Sequence, residues 1–152
     1  MENRVKQKKF VSLVLYLHNT QNEVVSFFQK VLPVFRDNFT NFEIVCVNDA
    51  CTDGTIGVLK EYLEENHCSE MVNIIHMSFF HGLESAMNAG RDLAIGDFIY
   101  EFDTAYVDYP SELIMEVYDK LLEGNDIVSA GTRDHVRMTS GIFYFCYNKT
   151  SR

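Results

Sequence analysis

Apolar residues fall along this chain in two alternating patterns. Short, nearly unbroken apolar runs occupy 10–16, 42–47, 72–77, 97–102 and 126–130. Between them lie longer stretches in which apolar residues recur three and four positions apart. The first pattern suits strands buried on both faces, and the second marks one face of a helix. Helices are therefore expected within the segment 19–35 and over 55–65, 81–94 and 110–124. In the first of these, Val24, Phe27, Phe28, Val31 and Leu32 share a face. Thr20 and Glu23 stand ahead of it at capping-box spacing, and Pro33 is expected to weaken its end. In the second, Ile56, Leu59, Tyr62 and Leu63 point inward. Ser111 is the expected cap of the fourth helix and Gly124 its stop.

Strands alternating with helices predict an α/β fold with a mainly parallel sheet covered on both faces. In such sheets ligands bind beyond the carboxyl ends of the strands. The polar residues that end the apolar runs then become informative. Asn48 and Asp49 close the second strand, and Asp103 closes the fourth. The segment 132–152 follows neither pattern cleanly. Its aromatic stretch 140–148 reads either as an amphipathic helix or as a strand that expects a partner, and it points to an interface, a membrane contact or a missing segment, with a hint of self-association.

The chain has 152 residues, enough for one domain with a substantial core. Acidic residues number 22 against 13 basic, a formal net charge of -9. That field disfavours nucleic acid as a partner but permits one small anion held by local cations or a metal ion. The basic cluster within 1–9 reads as a solvated lead-in. Cys46, Cys51, Cys68 and Cys146 form no C-x-x-C pair and read as reduced thiols of a cytoplasmic protein. No apolar stretch approaches membrane-spanning length.

Several familiar site motifs are absent. There is no G-x-G-x-x-G after the first strand, no phosphate-binding P-loop, no H-E-x-x-H helix and no G-x-S-x-G elbow. The remaining polar residues are spread over the loops that follow strands one to four. They are Tyr16 to Asn19, Asn48 to Thr55, His81 to Gly90 and Glu101 to Pro110.

In this order, these segments resemble the family-2 glycosyltransferases of GT-A fold. The family's V-D-D-G-S-x-D-G-T segment is matched by Val47-Asn48-Asp49-Ala50-Cys51-Thr52-Asp53-Gly54-Thr55. Its G-x-x-x-A-x-N-x-G helix is matched by Gly82, Ala86, Asn88 and Gly90. Its A-x-G-D turn is matched by Ala94, Gly96 and Asp97, and the first aspartate of its D-x-D by Asp103. The Asn-Asp variant is similar to the branch containing polyprenyl-phosphate sugar transferases. The second D-x-D aspartate is replaced by Ala105, and Asp108 matches a further acidic position of some members.

The resemblance implies a three-layer α/β/α sandwich of Rossmann-like GT-A type. A nucleotide-sugar-binding domain would span 10–131, and 132–152 would begin an acceptor-side or interface segment. The general base would lie beyond Arg152. It further implies inverting transfer from a nucleoside-diphosphate sugar to a glycan or polyprenyl-phosphate acceptor in cell-envelope polysaccharide synthesis, at the inner face of the membrane. The nucleotide-binding residues it implies are Tyr16, Asn19, Asp49, Gly82, Asp103 and Arg133. Asp103 and Asp108 would hold Mg2+ or Mn2+. A non-catalytic nucleotide-sugar-binding module or inactive fragment is the alternative, and a third reading is a different α/β enzyme that shares only the crevice, such as a nucleotidyltransferase.

The chemistry reads independently. A departing diphosphate builds negative charge, which a divalent cation or arginines such as Arg133 and Arg137 absorb. Mg2+ needs only one or two carboxylates beside phosphate and water oxygens, which suits Asp103. A carboxylate also accepts a base N–H, which suits Asp49, although Asp equally favours turns. Asp53 reads as a helix cap and Asp108 as either a turn residue or a ligand. His18 and His81 read as hydrogen-bonding wall residues.

Overall fold

A computed structural model describes residues 5–130 and 144–148. Six strands form one sheet in the order β3-β2-β1-β4-β6-β5. The four parallel ones are β1 (Gln7–Leu17), β2 (Phe39–Asn48), β3 (Val72–His76) and β4 (Phe98–Phe102). The helices are α1 (Val24–Asn38), α2 (Thr55–Glu65), α3 (Leu83–Leu93) and α4 (Glu112–Leu122). All nine expected elements up to Ala130 are present.

The other edge of the sheet departs from the expected pattern. β5 (Ile127–Ala130) does not pair with β4. Instead β6 (Tyr144–Asn148), drawn from the aromatic tail, lies between them and runs antiparallel to both. The tail's strand finds its partners within the same chain.

Alternation along β1 sends successive side chains to opposite faces. Val11, Leu13, Leu15 and Leu17 join Phe27, Phe28, Val31 and Phe35 of α1, and Ile114, Val117 and Tyr118 of α4, in the larger core. Val14 joins Val45, Val47 and Ile99 under Ala86 and Met87 of α3. The result is a three-layer α/β/α sandwich. Truncating any one of the buried phenylalanines to alanine removes about 3–5 kcal/mol. Gly90 is what lets α3 lie close, because a Cβ there would collide with Val14 and Val47.

Main-chain groups replace two expected side-chain caps. Neither Thr20 nor Glu23 caps α1 through its side chain; the Thr20 carbonyl accepts the amides of Glu23 and Val24. Ser111 makes no side-chain cap bond to α4 either. Pro33 does not end α1, which continues to Asn38. Gly124 stops α4 as expected, at φ 102° with its amide on the Leu121 carbonyl. Strand β1 begins at Gln7, with Lys8 and Lys9 exposed. No helix among the described residues is long and apolar enough to cross a membrane.

Candidate functional site at the carboxyl ends of the strands

Strand register brings the predicted acidic residues to one rim. Asn48, the residue before Asp49, pairs with Leu17, and Phe102, the residue before Asp103, pairs with Leu15. Asp49 and Asp103 therefore flank β1, two strand spacings apart and offset by two residues, about 12 Å between their Cα atoms. Tyr16, Asn19 and His18 lie at the same rim on the end of β1 and the loop beyond it.

Asp49 is fully buried, at 0% exposure. Its Oδ1 accepts the His81 amide at 2.8 Å. Its Oδ2 accepts the Gly82 amide at 2.9 Å and the Tyr16 hydroxyl at 3.0 Å. Such a carboxylate is well compensated for its burial. Burial, reinforced by the neighbouring Asp49, pushes the Tyr16 hydroxyl well above its ordinary pKa. Gly82 sits at φ 84°, ψ 165°, a region open almost only to glycine. The His18 ring nitrogen meets the Asp49 carbonyl at 2.6 Å, and its ring lies 4.7 Å from that of Phe80. The His81 ring stacks on Phe79 at 4.0 Å.

Other motif residues build the scaffold beneath. Asn19, at φ 53°, accepts the amides of Thr52 and Asp53 through Oδ1, at 2.8 and 3.3 Å. Asp53 accepts the Thr55 amide at 3.0 Å, acting as a cap just ahead of α2, and the Gln21 amide at 3.1 Å. Gln21 returns a bond from Gly54 at 2.9 Å. These contacts stitch the β1–α1 loop to the β2–α2 loop. Asn48 joins its amide nitrogen to His76 at 2.9 Å and accepts the Cys51 amide at 2.9 Å. At the opposite rim, Gly96 passes so close to Ser12 that a Cβ would collide with it. Asp97 there holds the Phe10 amide at 3.2 Å. The A-x-G-D turn is therefore a fold element away from the crevice.

Asp103 differs from Asp49. Its Oδ1 is buried and has no hydrogen-bond partner among the described residues. Desolvation raises its pKa from 3.8 to about 6. A buried carboxylate oxygen without a donor is costly, and a cation or donor ligand would remove that cost. Asp103 thus fits a divalent cation completed by phosphate and water oxygens. Asp108 is exposed on the loop before Pro110. Ala105 is fully buried and belongs to the larger core. Among the described residues no three Asp, Glu, His or Cys side chains cluster as metal ligands. Arg133 and Arg137 lie outside the described residues.

Sequence reasoning missed Glu101. Its side chain is 5% exposed, with the Arg91 guanidinium 3.2 Å from Oε1, close enough to pair but not aligned for a hydrogen bond. Burial raises its pKa from 4.5 to about 7, against the opposing pull of Arg91. The signal was a lone carboxylate inside the otherwise apolar Phe98–Phe102 run.

The glycosyl transferase family 2 model matches residues 12–149, nearly the whole chain. The chain belongs to this family. An uncharacterized glycosyltransferase of Synechocystis sp. is 34% identical over 123 residues, covering 81% of this chain and 37% of that protein. A prophage bactoprenol glucosyl transferase homolog of Escherichia coli is 29% identical over 149 residues, 93% of this chain and 47% of that one. Among solved structures, a mannosyltransferase from Pyrobaculum calidifontis in complex with GDP-Man and Mn2+ superposes with a TM-score of 0.73. It is 15% identical, covering 93% of this chain and 45% of that one, a likeness of GT-A fold. This family-2 chain spans less than half the length of each of these three proteins.

Proposed function

We propose that this family-2 chain binds a nucleoside-diphosphate sugar across the rim between Asp49 and Asp103, and that its sugar passes with inversion to a glycan or polyprenyl-phosphate acceptor. The single observation that carries the reading is the buried, partnerless Oδ1 of Asp103 at the carboxyl end of β4. A Mg2+ or Mn2+ ion bound there would neutralise the charge that builds on the departing diphosphate. Asp103 would hold the ion, with Asp108 the second acidic side chain on the same loop. Asp49, Tyr16 and Gly82 would form the base end of the site. Asn19 keeps the two loops beneath it in register, and Arg133 would meet the diphosphate. The bactoprenol relative supports a lipid-linked acceptor. Such an acceptor would put the reaction at the inner face of the membrane, in envelope polysaccharide synthesis.

The experiment is calorimetry of the chain with UDP, GDP and their sugars, with and without Mn2+, repeated on Asp103→Ala. Mn2+-dependent binding that the substitution abolishes supports the site. Binding indifferent to both Mn2+ and Asp103 refutes it. One observation favours a second reading, a binding module without turnover: Ala105 lies in the core where the usual motif carries a carboxylate. Sugar transfer or hydrolysis of the donor by the full gene product decides between the two.

A further inference from the structure

Resting on that nucleotide reading, we infer that the Arg91–Glu101 pair is a brace that sets the separation between Asp49 and Asp103, the two ends of the site. Arg91 lies in the last turn of α3, and Glu101 stands on β4, two residues before Asp103. The guanidinium comes within 3.2 Å of Glu101 Oε1. The other end of α3 opens just after His81 and Gly82, whose amides hold Asp49. One helix is thus tied to the end of β2 at its start and to β4 at its finish.

Strand register accounts for the reach. Val14 of β1 pairs with Glu101 of β4. Gly90 lies over Val14, so close that a Cβ would collide with it. Arg91 is the next residue, and it spans from this seat on β1 to the neighbouring strand. Elsewhere α3 rests on β1 and β2, where Ala86 and Met87 join Val14, Val45 and Val47. Apolar contacts of that kind are non-directional. The ion pair adds a point of fixed distance to β4, about 7 Å along the strand from Asp103.

Stability does not explain the pair. The Glu101 side chain is 5% exposed, and its Oε1 has no aligned donor among the described residues. A buried ion pair of this kind is often no more stable than a neutral replacement. Its value lies in geometry. A ligand that touches one end of the site is indifferent to the separation of the two. A metal-bound nucleoside diphosphate spans both ends, and a preset separation spares it the cost of ordering them. Arg91 and Glu101 are therefore positioning residues.

The test is calorimetry of the whole chain with whichever of UDP and GDP it binds more tightly, with and without Mn2+. Wild type, Arg91→Met, Glu101→Gln and the double variant are compared at about pH 8, above the raised pKa of Glu101. Mn2+ is expected to tighten nucleotide binding by wild type about tenfold or more. Each single variant is expected to lose about fivefold of that enhancement while keeping its Mn2+-free affinity, and the double variant to lose no more than either single. Glu101→Gln is expected to unfold at higher urea than wild type, so its loss is not a loss of fold. A charge effect on Asp103 would weaken Glu101→Gln and spare Arg91→Met. An unchanged enhancement in either single variant, or losses that add in the double, overturns the inference and leaves the nucleotide site standing. Wild type that binds neither nucleotide, or binds without help from Mn2+, overturns the nucleotide reading itself.

Discussion

The Gly82 amide donates to the Asp49 carboxylate at 2.9 Å, and it does so from a backbone conformation that side chains rarely adopt. A Cβ at Gly82 would meet nothing within 4 Å, so the constraint is conformational and not steric. Gly82→Ala is therefore expected to cost about 1–3 kcal/mol and to loosen the start of α3. Chemical denaturation measures the first effect, and amide exchange at Ala86 the second.

Ala105 yields a prediction that opposes motif logic. Restoring the second aspartate of the family motif by Ala105→Asp places a carboxylate at a fully buried position of the larger core. The expected outcome is a loss of about 3–5 kcal/mol, the range for an uncompensated buried charge, with no gain in Mn2+ affinity. Urea unfolding and a Mn2+ titration of the same variant check both halves.

Glu101 predicts a pH dependence. Its folded pKa of about 7 lies above the ordinary 4.5. Between those values the folded chain holds a proton that the unfolded chain has released, so stability from this group falls as pH rises through that window. Glu101→Gln removes the titration. The variant should gain on wild type by on the order of 2 kcal/mol between pH 4.5 and 8. Unfolding free energies of the two proteins across that range give the difference directly.

Asn19 predicts a local effect. Asn19→Ala deletes the acceptor shared by the Thr52 and Asp53 amides. Those two amides are expected to exchange faster than in wild type, with a global cost of about 1–3 kcal/mol. Exchange measured residue by residue separates this unstitching from general unfolding.

The parallel half of the fold was legible because its signals are local. Runs such as 10–16 and the spacing of Val24, Phe27, Phe28 and Val31 declare period and burial without reference to partners. The caps at Thr20 and Ser111 were misread because main-chain carbonyls do the work there, and carbonyls have no sequence signature. Pairing across the far edge was also illegible: β6 joins β4 and β5 over a long separation, and no short-range pattern encodes that choice. Within the site, Asp49 and Asp103 announced themselves by ending apolar runs. That one is sealed by three donors while the other keeps a bare oxygen depends on which amides the β3–α3 loop delivers.

The seating of β6 dictates an order of assembly. Among the described residues β5 pairs with the sheet only through β6, so its place in the ladder is not filled until the chain has been made through Asn148. Until then β4 is an open edge reading Phe98-Ile99-Tyr100-Glu101-Phe102, and an unpaired hydrophobic strand is a template for neighbouring chains. A ribosome-bound intermediate or a version cut before Tyr144 would carry that sticky margin into solution. The carboxyl of Glu101 is then its one acidic interruption, a gatekeeper set within the strand.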